Sequence, residues 1–399
     1  MEDVTLSNFS WRKPIKTNEK IILANKESQT AEISTKSVEC TAKFIDEKEC
    51  QTDDTSSGQV SNNGYTISDQ VLKILEDFIN DDSEVNYDRL LEFHKFDSVA
   101  LETVHSYHIE TRNEPIISMR SNSTRKTLIL FGGTYHDTFC SHQARAMLCS
   151  SSTTFSLPLP VCALTSTFIN STHYVLGDIS GNLSMCRGDE KVFGVKASDG
   201  AITCIEMSKH GLIVGSDDGT LQLWTIVKGG FEKQSIIKLV VSDLPRKIRK
   251  SSTSSRPVAV VSIQVCSDEC CVATETGGIY IVSLPNLDYK SVSISSSSSI
   301  KCILFESPYI AVSYHNASTV IMTIERPIDQ LSIISSISVR CGKYFVFSDN
   351  RRLLLWSCNT QLVVVDNPME CQAISSISTD SIQILDVSNN LTTMLINDR

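Results

Sequence analysis

The chain has 399 residues carrying 36 Lys and Arg against 46 Asp and Glu, for a formal net charge of -10 and a pI near 5.4. Phosphate neutralisation needs clustered Lys and Arg, so this balance argues against a nucleic-acid-binding surface. No apolar run reaches the roughly 18 residues that span a bilayer, so no membrane insertion is expected.

The acidic start Met1-Glu2-Asp3-Val4 does not read as a signal peptide. A hydrophobic content of 41% supports a packed core, and the length suits one large repeat domain with an extension. The 14 cysteines do not read as a disulfide framework in a long chain without a secretory signal. Cys162, Cys204, Cys266 and Cys302 fall in apolar strand-like stretches, where a thiol acts as a small hydrophobe. A reducing, cytoplasmic compartment is the expectation.

Residues 1–65 are rich in Lys, Glu, Ser, Thr, Asp and Asn, with few aromatics. Such a stretch cannot bury enough apolar surface to offset its ordering entropy, so a disordered N-terminal arm is expected. Two words within it nearly repeat, Lys26-Glu27-Ser28-Gln29-Thr30 and Lys48-Glu49-Cys50-Gln51-Thr52. They resemble the anchor motif bound by the small homodimeric dynein light chain, a Gln-Thr core after a short hydroxyl or thiol residue. The resemblance implies strand addition, in which the peptide backbone pairs with a sheet edge and alternate side chains fill pockets. Lys26, Ser28, Gln29, Thr30, Lys48, Cys50, Gln51 and Thr52 are then the light-chain-binding residues, with Gln29 and Gln51 as anchors. The anchors stand 22 positions apart, which lets weak sites combine through effective concentration. Gln-Thr words also arise by chance in polar, Thr-rich sequence.

Over 66–97 the composition changes. Thr66 or Ser68 caps a helix start, and Val71, Leu72, Ile74, Leu75, Phe78 and Ile79 recur at helical spacing. One amphipathic helix beside a disordered arm needs a partner for its apolar face. Val71, Leu72, Leu75, Phe78 and Ile79 are the predicted partner face. The competing reading packs that face on the repeat domain that follows.

From 98 to 399 the sequence repeats. In Gly215-Ser216-Asp217-Asp218-Gly219-Thr220-Leu221-Gln222-Leu223-Trp224 a tight polar turn leads into an alternating strand, preceded by the apolar runs 201–206 and 211–214. Equivalent turns end at His136, Gly181, Gly219, Gly277, Ala317, Arg351 and Asn389, with gaps of 45, 38, 58, 40, 34 and 38 residues. All but the third centre on the roughly 40-residue period of a WD-type blade. The third contains an insertion near 228–256. Each turn is read as preceding the outer strand of its blade, which Trp224 and Trp356 end. The fold expectation is all-β, a seven-bladed WD-type β-propeller preceded by the disordered arm and a short amphipathic helix. Val99-Ala100-Leu101-Glu102-Thr103-Val104 is expected to pair with the last blade and close the ring.

Several side chains are candidates for chemistry. The insertion carries the basic run Arg246-Lys247-Ile248-Arg249-Lys250 beside hydroxyls, which reads as a solvated loop or a phosphorylation switch. His136, Cys140, His142 and Cys149 fall within 14 positions, but their spacing matches no common zinc pattern. A strand reading also sends alternate ones to opposite faces, so no metal site is predicted. Asp178, Asp217 and Asp218 sit in blade turns, where carboxylates cap backbone N–H groups. Gly132-Gly133 is followed by no Gly-Lys-Ser/Thr and no Gly-x-Ser-x-Gly elbow occurs, so no catalytic residue and no cofactor is predicted.

The order of light-chain words, helix and divergent propeller resembles the dynein intermediate chain family, most closely the dynein-2 intermediate chain of intraflagellar transport. The resemblance implies a propeller that grips the dynein heavy chain and an arm that collects light chains of the small homodimeric type. It places a roadblock-type light chain at the connector helix and adds a second intermediate chain. It further implies a cytoplasmic and cytoskeletal location in the cilium. Residues 1–24 show no heptads, so the coiled coil of the dynein-1 type is not expected. A generic WD-repeat adaptor, such as a ubiquitin-ligase substrate receptor, is the alternative.

Overall fold

The computed structural model divides the chain into two units, Met1–His94 and Lys95–Arg399. It describes residues 99–398 other than 113, 134, 135, 137–139, 141, 250–253, 293–297, 336 and 350. The arm expected over 1–65 and the helix expected over 66–97 lie outside the described residues. Among the described residues, no helix is long and apolar enough to cross a membrane.

Seven four-stranded antiparallel meanders follow one another. The chain opens with β1 (Val99–His108), and blade 1 is β2 (Ile116–Ser121), β3 (Thr127–Phe131), β4 (Ala144–Cys149) and β5 (Thr154–Leu159). Blade 2 is β6 (Ala163–Phe168), β7 (His173–Asp178), β8 (Asn182–Arg187) and β9 (Glu190–Lys196). Blade 3 is β10 (Ile202–Ser208), β11 (Gly211–Ser216), β12 (Thr220–Val227) and β13 (Gly230–Lys238). Blade 4 is β14 (Val260–Cys266), β15 (Glu269–Thr274), β16 (Ile279–Ser283) and β17 (Asp288–Ser291). Blade 5 is β18 (Ile300–Glu306), β19 (Tyr309–Tyr314), β20 (Thr319–Thr323) and β21 (Pro327–Leu331). Blade 6 is β22 (Ile337–Cys341), β23 (Tyr344–Ser348), β24 (Arg352–Ser357) and β25 (Leu362–Pro368). Blade 7 is β26 (Cys371–Ser376), β27 (Ser381–Asp386) and β28 (Asn390–Asp398), with β1 as its fourth strand.

The first strands touch their neighbours in cyclic order, and β2 meets β26 to complete the ring. Closure therefore depends on β1. It pairs antiparallel with β28 from Val99 opposite Asp398 to His108 opposite Asn390. A ring so closed leaves no long free edge in a domain made of short strands.

The core sits between blades. Leu128 and Leu130 of β3 pack with Tyr174 and Leu176 of blade 2, while Ile129 and Phe131 pack with Leu385 and Leu391 of blade 7. Successive side chains of a strand point to opposite faces, so one apolar strand serves two interfaces. The same division recurs in β23, where Phe345 and Phe347 face blade 5 and Tyr344 and Val346 face blade 7. This is why second strands such as Thr127–Phe131 and Tyr344–Ser348 are buried at every position and read as continuous apolar runs. Each fully buried aliphatic or aromatic side chain contributes about 1.5–3 kcal/mol of transfer free energy.

Six blades share a further feature. The first and second strands slip register just after their first pair, as between Ile202 and Cys204 or Val260 and Ser262. The extra residue sharpens the local twist where the strand enters the ring.

Two expectations need correction. The repeated turns precede the third strand of each blade, so Trp224 and Trp356 lie on β12 and β24, inside the outer strands β13 and β25. The segment read as an insertion over 228–256 begins with the ordinary outer strand β13. What is added is the connection from 239 to 259. It holds a 3-10 turn (Val241–Asp243) and a bridge between Val240 and Pro257, and it buries Leu239, Leu244 and Val258 against blades 3 and 4. Its basic stretch is partly tied down, since Arg249 Nη1 donates to the Ser242 carbonyl at 3.0 Å.

Candidate functional site

None of the light-chain-binding residues between Lys26 and Thr52, and none of the helix residues between Val71 and Ile79, is among the described residues. The candidate sites that can be built from side chains upward all belong to the propeller.

In a four-stranded meander the turns between second and third strands open on the same face as the connections to the next blade. On that face the turn carboxylates hold backbone. Asp218 Oδ1 accepts from Ser216 Oγ (2.5 Å), Thr220 N (3.0 Å) and Thr220 Oγ1 (2.8 Å), and Oδ2 accepts from Ser198 Oγ at 2.8 Å. Asp178 Oδ1 receives Asn182 N at 2.8 Å, and Asp386 Oδ1 receives the N–H groups of Ser388 and Asn390, each at 2.8 Å. The capping role expected for Asp178 and Asp218 is thus realised. Partial burial works to raise the Asp218 carboxyl, but the three hydroxyls outweigh it and hold it below the ordinary range. Asp217 gains no such hydroxyls; burial and the Asp218 charge hold its carboxyl above the ordinary range.

The ladder continues inward from Asp218. Gln222 Nε2 donates to the Ala197 carbonyl and Trp224 Nε1 donates to Gln222 Oε1, both at 2.9 Å. Charged groups on the first strands pair across blades. Arg120 Nη2 of blade 1 meets Glu206 Oε1 of blade 3 at 2.6 Å, and Gln264 of blade 4 donates to the same oxygen at 3.2 Å. Arg340 of blade 6 binds Glu306 of blade 5 at 2.8 Å.

A different constellation forms where blade 1 meets blade 2. Gly132 and Gly133 lead out of β3, and the chain passes His136, Cys140 and His142 before β4 starts at Ala144. Cys162 comes from the connection into β6 of the next blade. One ligand-type atom from each of His136, Cys140, His142 and Cys162 lies within 4.8 Å of all the others. Cys140 Sγ is 3.8 Å from His142 Nδ1 and accepts the Cys162 N–H at 3.4 Å, while Cys162 Sγ accepts the Gly133 N–H at 3.4 Å. The two imidazoles meet edge to face at 5.1 Å.

The electrostatics differ between the two thiols. Burial works to raise Cys140, but hydrogen bonds from Cys162 and His142 prevail and bring it down to about 7. Burial pushes Cys162 up to about 11.

This grouping departs from the sequence expectation. His136, Cys140 and His142 precede β4, so strand alternation does not separate them. Cys149 lies at the far end of β4, buried against blade 7, and its thiol donates to the Thr127 carbonyl. Its place is taken by Cys162, which a window confined to one blade does not reach. A cysteine at the start of the next blade's first strand was the available signal.

No family model and no curated protein matches the sequence. Among solved structures, a chain of a crystal structure of the mitotic checkpoint complex superposes with a TM-score of 0.54 at 10% identity, covering 76% of this chain and 96% of the other. At that identity the likeness establishes the fold alone, a seven-bladed WD-type β-propeller.

Proposed function

We propose that this chain is a non-catalytic scaffold of a motor complex, a dynein-2 type intermediate chain in which the propeller meets the heavy chain and the arm carries light chains. WD-type propellers commonly serve as assembly platforms, and the engaged carboxylates of the blade turns suit that role. The observation that carries the finer reading is the pair of words Lys26-Glu27-Ser28-Gln29-Thr30 and Lys48-Glu49-Cys50-Gln51-Thr52, set ahead of apolar residues that recur at helical spacing and of a closed propeller.

The test is isothermal titration of the full-length chain with the small homodimeric dynein light chain, comparing wild type with the Gln29→Ala/Gln51→Ala variant. Wild type binds, each single variant binds more weakly as the paired sites lose their effective concentration, and the double variant does not bind. A tagged chain expressed in ciliated cells also retains the dynein heavy chain. A wild-type chain that binds no light chain and retrieves no heavy chain removes the motor reading and leaves a general WD-repeat adaptor.

A further inference from the structure

The junction of blades 1 and 2 holds a donor set that the scaffold role does not use. We propose that His136, Cys140, His142 and Cys162 bind one zinc ion, a structural site that fastens the long β3–β4 connection to the neighbouring blade.

Four observations converge on it. The four donor atoms already lie within 4.8 Å of one another. A tetrahedral zinc with bonds of about 2.0–2.3 Å sets its ligands roughly 3.3–3.8 Å apart, so small side-chain rotations complete the shell. His136 Nε2 is buried and has no hydrogen-bond partner among the described residues. A buried ring nitrogen without a partner carries a desolvation cost that a metal bond removes.

The surrounding backbone has been cleared for these side chains. A Cβ on Gly133 would stand 2.3 Å from the His142 ring, and one on Gly132 would stand 2.7 Å from Cys162 Sγ. Finally, both sulfurs already receive backbone N–H groups, from Cys162 and from Gly133. Such outer hydrogen bonds orient thiolate ligands and stabilise their charge.

Two thiolates and two imidazoles in a tetrahedral arrangement suit zinc above calcium or magnesium, which take oxygen ligands. Four protein ligands leave no open position for substrate, so the ion is structural. The ligands come from both sides of a blade junction, so the metal joins elements that otherwise meet through side-chain packing and N–H···S hydrogen bonds.

The experiment uses the full-length chain, purified under reducing conditions and analysed for metal by elemental mass spectrometry. About one zinc per chain is expected, falling below about a tenth in Cys140→Ser/His142→Ala, both on the loop rather than in a strand. Cys266→Ser, a half-buried thiol away from the cluster, keeps its zinc. Gly133→Ala retains all four ligands but displaces the His142 ring, and loses zinc as well. Cobalt added to the chelated wild-type chain gives the visible ligand-field bands of a tetrahedral sulfur–nitrogen site, a readout independent of variant folding.

Three results overturn the proposal. One is wild-type chain without zinc and without a tetrahedral cobalt spectrum. Another is zinc retained at full stoichiometry in the double variant. The third is a Cys140–Cys162 disulfide as the form isolated from reducing cells.

Discussion

Trp224 and Trp356 occupy corresponding third strands, β12 and β24, and are nearly or fully buried, at 3% and 0% exposure. Replacing each by Phe nevertheless has different consequences. Either change deletes part of an indole from a packed interface, at about 1 kcal/mol or somewhat more in transfer and cavity terms. At Trp224 the change also removes the 2.9 Å donor to Gln222 Oε1, which lies within a side chain only 1% exposed. An acceptor orphaned in that way costs a further 1–3 kcal/mol, roughly. Trp356 Nε1 has no partner among the described residues, and its ring stacks on Phe345 at 5.7 Å and meets Tyr309 edge-on at 5.6 Å. Phe keeps both ring contacts and removes a buried N–H that was unpaired. Trp224→Phe is therefore expected to destabilise the propeller by about 1–3 kcal/mol more than Trp356→Phe. Urea unfolding followed by circular dichroism reads this as a lower midpoint at an unchanged slope. Gln222→Ala supplies a cycle: it costs less in the Trp224→Phe background than in wild type. Equal midpoint shifts for the two Trp variants, or a larger loss at Trp356, would refute the reasoning.

The adjacent carboxylates of blade 3 give a pH test. The folded Asp218 carboxyl lies below its ordinary value, so its stabilisation is complete above about pH 4 and is lost as pH falls through the folded value. Asp218→Asn lowers the urea midpoint at pH 7 and flattens the acid limb of the profile. Asp217 is held above its ordinary value, so its charge costs stability at neutral pH and nothing once protonated. Asp217→Asn raises the midpoint at pH 7 and leaves it unchanged near pH 3. Glu206→Ala strands Arg120 and Gln264 together, and a loss of about 1–3 kcal/mol is expected in the same assay. Leu101→Asp places a charge where β1 packs against the blade 6–7 cluster, and limited proteolysis should then cut first within blade 7.

Much of the ring was legible because the turns are. The seven polar turns from Gly132–His136 to Leu385–Asn389 each fall between second and third strands, and the six after the first are tight reversals, which demand Gly, Asp or Asn whatever the blade. Outer strands were harder to read. Glu190–Lys196, Gly230–Lys238 and Asp288–Ser291 are mostly exposed and polar, so apolar patterning skips them and the strand ending in tryptophan reads as the outermost. The bulges entering the first strands left no mark on composition, because an inserted residue such as Thr203 fits either pairing. The His–Cys cluster was half visible. Three members sit in one sequence window, but Cys162 joins them only after blade 2 folds against blade 1.

Closure by β1 also has a consequence in time. Of the propeller's strands the closing one leaves the ribosome first, and its partner β28 is made nearly three hundred residues later; the hydroxyl pair Ser106–Thr392 spans 286 positions. At about 5–20 residues per second, β1 waits some 15–60 seconds without the edge it completes. Glu102, His105 and His108 along this strand, and its mostly exposed pattern in the finished ring, make it a poor template for pairing with other chains meanwhile. The first propeller strand synthesised is the last to find its place, and the nascent protein must carry it unpaired until then.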